Sequence, residues 1–248
     1  IDVGATNNFL LQRDTFTTKN YSPLIRITGP LLTTYVPEQY KNLGNDSPFE
    51  EMLTEDGTRK SVLEQLKLNP DFIKIWYIVT DKDVEKGARK NLALVKAAID
   101  EAHKNNKRVA VHATERITAQ LAVEAGADFL VHSVDDEEVS DAFIKLLREK
   151  KTVLCPTLVV MGNYGKVLGD TYHFTTDELN HANPELVSTI IDYPLPDTSL
   201  GKIYIATLKL PEQKRKEEKA WSIMADNLKR LIDGGVIIAT GTDAGNTG

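Results

Sequence analysis

Short apolar runs rich in β-branched residues alternate with longer helical patterns along most of this chain, and that alternation restricts the fold more than any other feature. The runs are Leu24-Ile25-Arg26-Ile27-Thr28, residues 72–79, Arg108-Val109-Ala110-Val111-His112, Phe129-Leu130-Val131-His132, residues 152–158 and Val236-Ile237-Ile238-Ala239. Helix-period patterns fill the intervals at 59–68, 83–105, 117–124 (closed by Gly126), 138–150 and 212–233. In the second of these, Leu92, Val95, Ala98, Ile99 and Ala102 share one face at 3.6-residue spacing. Strand–helix units repeating at roughly 25–40 residues predict a parallel sheet with helices packed on it. Pro156 predicts that its strand stops pairing early. Residues 162–210 depart from the pattern; they read as a long irregular segment containing Pro184, Pro194 and Pro196.

An open doubly wound sheet and a closed (β/α)8 barrel both satisfy such a pattern. Neither G-x-G-x-x-G nor G-x-x-x-x-G-K-[ST] occurs, so the phosphate-cradling loops of open sheets are missing. Ile1-Asp2-Val3-Gly4 looks like the end of a buried strand, which brings the strand count to seven. The expected fold is therefore α/β, a (β/α)8 TIM-type barrel. Residues 1–248 would form one partial barrel domain, an incomplete chain lacking the first strand and the C-terminal end. No leader can be judged from such a start.

Composition narrows the function classes. Apolar residues make up 41% and charged residues 27%, an ordinary globular balance. No run approaches the roughly 18 apolar residues of a membrane span. With 30 basic against 36 acidic side chains and a net charge of -6, no global field favours nucleic acid. The Lys214-Arg215-Lys216 run precedes Glu217-Glu218 and reads as a solvated helix face. The expectation is a soluble protein, cytoplasmic or periplasmic, with oligomerisation left open. Cys155 is the one cysteine and has no neighbouring base; it reads as a small buried apolar residue.

Four polar residues stand out because each is set at the C-terminal end of an apolar run: Lys74, His112, His132 and Asp243. In a barrel, that end of the strands forms the active-site mouth. Taken singly, each has an ordinary structural role: a strand lysine is usually solvated, a strand histidine is usually core or rim, and Asp243 in Gly-Thr-Asp-Ala-Gly can make a turn. Their shared position is what points to chemistry, since His and Asp are common zinc ligands. Lys74 shares a face with Phe72 and Trp76, while Ile73 and Ile75 take the other, so neither face looks like open water. His103, His173 and His181 read as surface residues, and Arg116 and Tyr77 as candidates for binding a substrate carboxylate.

The segments Phe72-Ile73-Lys74-Ile75, Val109-Ala110-Val111-His112-Ala113, Ala125 through His132-Ser133 and Ala239-Thr240-Gly241-Thr242-Asp243-Ala244-Gly245 resemble, in order and spacing, the metal-dependent amidohydrolase superfamily. The resemblance is closest to its imidazolonepropionase-like and Xaa-Pro dipeptidase-like branch. Ser133 stands where some members carry Gly. The resemblance implies a carboxylated Lys74 bridging two divalent ions, zinc being expected, with His112 and His132 on one ion. It also implies that Asp243 binds the other ion and moves protons. The remaining ligands of the family are a His-x-His pair, which this sequence does not contain. The implied activity is hydrolysis of an amide or other C–N bond, in a dipeptide-like or cyclic amide substrate, by metal-activated hydroxide. Deamination of a heterocycle, or a non-catalytic barrel used for binding, are the alternatives.

Overall fold

The parallel pairing expected from the sequence is present throughout. The computed structural model describes residues 4–17, 24–168, 172–191 and 206–243. Seven strands form one sheet: β1 (Leu31–Thr33), β2 (Phe49–Glu51), β3 (Ile73–Trp76), β4 (Val109–His112), β5 (Phe129–Val131), β6 (Val153–Cys155) and β7 (Ile237–Ile238). Their spatial order is β2-β1-β3-β4-β5-β6-β7, with every pair parallel. This is an α/β fold with the architecture of a partial (β/α)8 barrel.

The register decides which side chains share a face. Lys74 lies opposite Ala110, Trp76 opposite His112, His112 opposite Val131, and Val131 opposite Cys155. Because side chains alternate along a strand, one face carries Phe72, Lys74, Trp76, Ala110, His112, Phe129, Val131 and Cys155. The other carries Ile73, Ile75, Val109, Val111, Leu130 and Leu154, all nearly or fully buried, and it forms the main core. Helices α2 (Glu55–Leu66), α3 (Val84–Lys104), α4 (Arg116–Ala125) and α5 (Asp141–Lys150) follow one another around the sheet, each packed on the next. Helix α3 buries Ala88, Val95, Ala98, Ile99 and Ala102, and α5 buries Phe143, Ile144 and Leu147. Of these, Val95, Ile99, Phe143, Ile144 and Leu147 each contribute about 1.5–3 kcal/mol when fully buried, and the alanines less.

Local chemistry sets the helix ends. The side chains of Thr54, Asp83 and Ser140 accept the backbone N–H of Gly57, Lys86 and Phe143, which caps α2, α3 and α5. Gly126 closes α4 at φ 108°, a conformation that side chains disfavour. Helix α2 starts at Glu55, ahead of the expected residue 59, because Thr54 caps it and Glu55 and Asp56 oppose the helix dipole.

Several expectations need correction. Residues 24–28 form no strand; Ile27 makes isolated bonds to Asp71, and β1 begins beyond Gly29-Pro30. Strand β2 was unexpected, as was helix α1 (Asn7–Thr17). The run at 152–158 pairs only to Cys155, as Pro156 predicted, and Leu158 already opens helix α6 (Leu158–Leu168). The segment read as irregular also holds α7 (Thr176–His181) and α8 (Pro184–Ile191). The expected strand at Ile1-Asp2-Val3 lies outside the described residues. Among the described residues, no helix is long and apolar enough to cross a membrane.

The last helix, α9 (Pro211–Asp233), is tied to the segment after β5 by one buried side chain. Asn227 is 1% exposed; its Oδ1 accepts the Val139 N–H at 2.8 Å and its Nδ2 donates to the carbonyls of Val134 (3.2 Å) and Glu137 (3.0 Å). An Asn227→Leu protein keeps the volume but leaves these groups unpaired, at about 1–3 kcal/mol for each that stays dry. Its urea midpoint should fall by the equivalent of about 3 kcal/mol with unchanged slope, whereas Ala at exposed Lys214 should leave the midpoint in place.

Candidate metal centre

Lys74 occupies the second position of β3, not its C-terminal end as the sequence suggested, and it is 2% exposed. An ammonium in that position loses its hydration. Burial therefore lowers its pKa from 10.5 to about 7, with Asp243 and then Cys155 acting in the opposite direction. A substantial share of the side chain is thus a neutral amine at physiological pH.

His112 is the last residue of β4, opposite Trp76. Its ring meets the Trp76 ring edge-on with centroids 5.8 Å apart, and Trp76 in turn leans on Phe49 at 4.9 Å. His132 follows β5, where strict alternation would send it to the helix face, away from Val131. Its φ of 78° breaks the alternation, and its ring lies 4.4 Å from the His112 ring at 68°. Both imidazoles are held neutral. Burial is the main cause for each, His132 next lowers His112, and Lys74 lowers both; His132 is brought down to about 3.

Asp243 lies beyond β7 with φ 57°, and its charge acts on both Lys74 and Cys155. Gly241 explains how close that loop comes to β6: a Cβ there would sit 2.4 Å from the Cys155 sulfur. The structure therefore brings the four sequence-predicted residues into one electrostatic neighbourhood, with direct ring contact between His112 and His132.

Other expectations fare differently. Tyr77 is fully buried on the helix face and its hydroxyl donates to the Ala88 carbonyl, so it is not available to a substrate. Arg116 donates to Glu137 at 2.8 Å and to Gln120, which commits it to carboxylate and amide partners. His103 pairs with Asp128 at 2.9 Å, and exposed His181 with the Asp177 carbonyl, as surface residues do. Cys155 is only half-buried and faces the charges of Lys74 and Asp243; burial raises its thiol pKa. Ala244 and Gly245 lie outside the described residues.

The sequence reading placed Thr157 in the 152–158 run and gave it no role. It is 4% exposed, and its Oγ1 is 2.6 Å from His132 Nδ1. Nothing in a Pro-Thr dipeptide signals a contact with a histidine 25 positions earlier.

Whether these residues suit a metal depends on the donors. Two neutral imidazoles in contact are good nitrogen ligands. Among the described residues, however, no group of three or more His, Cys, Asp or Glu side chains is placed to hold an ion. A third donor must come from Lys74 as its carbamate or from outside the described residues. With that addition, the set fits one divalent ion, and a second ion needs ligands from outside the described residues.

No protein-family model matches the chain. A 3-hexulose-6-phosphate synthase from Staphylococcus aureus is 28% identical over 180 residues, covering 68% of this chain and 77% of its own. Among solved structures, a prolidase complexed with N-methylphosphonate-L-proline superposes with a TM-score of 0.63 at 18% identity over 98% of this chain. A Xaa-Pro dipeptidase with methionine bound in its active site gives 0.61 at 20% over 99%, and a molinate hydrolase 0.55 at 16% over 98%. The chain spans about half the length of these structures, 53%, 54% and 50% respectively. At these identities the likeness establishes the barrel fold.

The Lys74 environment has a measurable consequence in metal-free protein. Unfolded, the lysine holds its proton up to about pH 10.5; folded, it releases it near pH 7. Between those values the unfolded state binds more protons, so stability rises with pH across this window and is flat below it. Lys74→Met should remove that rise. The difference between the two proteins should change by on the order of 4 kcal/mol from pH 7 to pH 10, read from urea unfolding.

Proposed function

We propose that this barrel belongs to a metal-dependent hydrolase of the amidohydrolase superfamily, cleaving an amide-type C–N bond in a dipeptide-like or cyclic amide substrate. The observation that carries the reading is a fully buried lysine, held near neutrality, beside two neutral, touching imidazoles at the mouth of the sheet. The fold likeness to a prolidase, a Xaa-Pro dipeptidase and a molinate hydrolase agrees with it.

Divalent ions, zinc by preference, would supply a Lewis acid for the carbonyl and lower the pKa of water toward neutrality. His112 and His132 would hold one ion through ring nitrogens that burial keeps unprotonated. Neutral Lys74 can add carbon dioxide, releasing a proton to solvent, and as its carbamate it would supply oxygen donors for a metal. Asp243, across from Lys74, would accept a proton from the attacking water and return it to the leaving nitrogen. The dry wall of Trp76, Phe129 and Val131 would limit stray water.

The relative's name raises a sugar-phosphate substrate instead. Of the candidate cations, Lys74 is pushed toward neutrality and Arg116 is bound to Glu137, so neither supplies a free charge for a phosphate.

Two measurements test the proposal on the whole protein. Metal analysis should find about two divalent ions per chain, as a two-metal site requires, and Lys74→Ala should lose them together with activity. Unchanged metal content in Lys74→Ala would remove the carbamate bridge. Asp243→Asn keeps the shape and loses the base. Its kcat on an amide substrate should fall by about 10²–10⁴-fold with KM little changed; near-normal kcat at full metal content would end the proton-transfer role.

A further inference from the structure

The contact between His132 and Thr157 joins two residues with unusual backbones. His132 has φ 78° and Thr157 φ 45°. For a β-branched residue this is a true outlier, of the kind that persists where surrounding structure enforces it. Thr157 is enforced from both sides: Pro156 precedes it, and its carbonyl accepts the Val160 N–H at 3.3 Å as α6 begins. His132 is anchored by its own N–H, which donates to the Cys155 carbonyl at 2.9 Å. The two strained residues are thus hung from adjacent strand ends so that their side chains meet.

The 2.6 Å contact occupies one ring nitrogen, Nδ1. Only Nε2 is then left for whatever occupies the mouth. A threonine hydroxyl can both accept and donate, so two arrangements are chemically distinct. If it accepts from Nδ1–H, Nε2 presents a lone pair; if it donates to Nδ1, Nε2 presents a proton. The positive charge of Lys74 opposes added positive character at His132, and a lone pair on the mouth side is the arrangement that suits it.

We propose that Thr157 is a positioning residue that accepts the Nδ1–H of His132, fixing the ring and its tautomer so that Nε2 offers a lone pair to the mouth. The part of this that concerns metal rests on the proposed function; the tautomer does not. A metal-ligating histidine depends on the partner of its other nitrogen, and loss of such partners typically weakens metal affinity about 10–100-fold.

The test uses the whole protein, metal-depleted and labelled with ¹⁵N-histidine, with the His132 signals assigned by their loss in His132→Gln. The native protein should show a protonated Nδ1 on His132. Thr157→Ser, which keeps the hydroxyl, should retain that signature. Thr157→Val, isosteric but without the hydroxyl, should shift His132 toward the Nε2–H form. So should Thr157→Gly, which removes the hydroxyl and relieves the backbone and so guards against a folding defect in the Val protein. Titration with zinc ion alone, against a competing chelator, should show affinity lowered by about 10–100-fold in Thr157→Val and Thr157→Gly and near native in Thr157→Ser. A native protein with Nε2–H on His132, or an unchanged tautomer in Thr157→Val, would overturn the inference. A native Nδ1–H form in a protein that binds no zinc would support the role of Thr157 and sink the metal reading.

Discussion

The pairing of β3 with β4, and of β4 with β5 and β6, sets Trp76, His112, Val131 and Cys155 in one row on one face of the sheet. Everything at the mouth depends on that register. A slip of one residue would turn Lys74 and His112 into the apolar layer under α3 and α4, and bring Ile75 and Val111 to the mouth. The apolar layer makes such a slip costly, because Ile73, Ile75, Val109 and Val111 are all fully buried against the helices. The core on one face therefore holds the polar groups in place on the other. This also accounts for a lysine at 2% exposure: it is buried because its neighbours along β3 have to be.

Register alone does not complete the arrangement. At the ends of β5, β6 and β7 the chain passes through His132, Thr157 and Asp243, each at positive φ. Non-glycine residues in this region are uncommon, and here three occur at adjacent strand ends. His132 departs from strand geometry directly after β5, Thr157 two residues after β6, and Asp243 in the loop that follows β7. At His132 the departure has a clear result, because it carries the ring from the helix side to the His112 ring. Gly241 works in the opposite sense: having no side chain, it lets the loop bearing Asp243 lie against the Cys155 sulfur.

How much of this was legible follows from the kind of signal each residue carries. Strands β3 to β6 announce themselves as apolar, β-branched runs because they are largely buried, and β7 reads the same way although Ile237 is exposed. Strand β2, Phe49-Glu50-Glu51, carries two carboxylates at the sheet edge and leaves no such run. Strand β1 hides behind Gly29-Pro30, which looks like punctuation, while the preceding Ile25-Arg26-Ile27 imitates a strand and is held by Asp71 instead. Lys74, His112, His132 and Asp243 were legible as polar residues breaking or ending apolar runs. Tyr77 was misread although alternation was informative, since it sits on the face of Ile73 and Ile75. Thr157 and Cys155 were not legible in role. Their importance lies in contacts across strands and in the sign of a backbone angle, and neither leaves a pattern in sequence.

The charges at the mouth form a consistent set. His112 and His132 are neutral, Lys74 is near its midpoint at pH 7, and Asp243 supplies negative charge toward it. Such a group could be stable in two ways. With Lys74 protonated, it would form an ion pair with Asp243 in a poorly hydrated place, where desolvation offsets much of the attraction. With Lys74 neutral, Asp243 is left as an anion facing uncharged nitrogen bases, and converting the amine to a carbamate would add a second negative charge. That excess is unfavourable on its own and is relieved by a divalent cation, which the lone pairs of the two imidazoles can also bind. On the proposed function, the same burial that disfavours the ammonium would favour a metal ion over a proton as the positive charge at this mouth. On that reading the carboxylate that the described residues do not add beside the two imidazoles would be made on Lys74 itself.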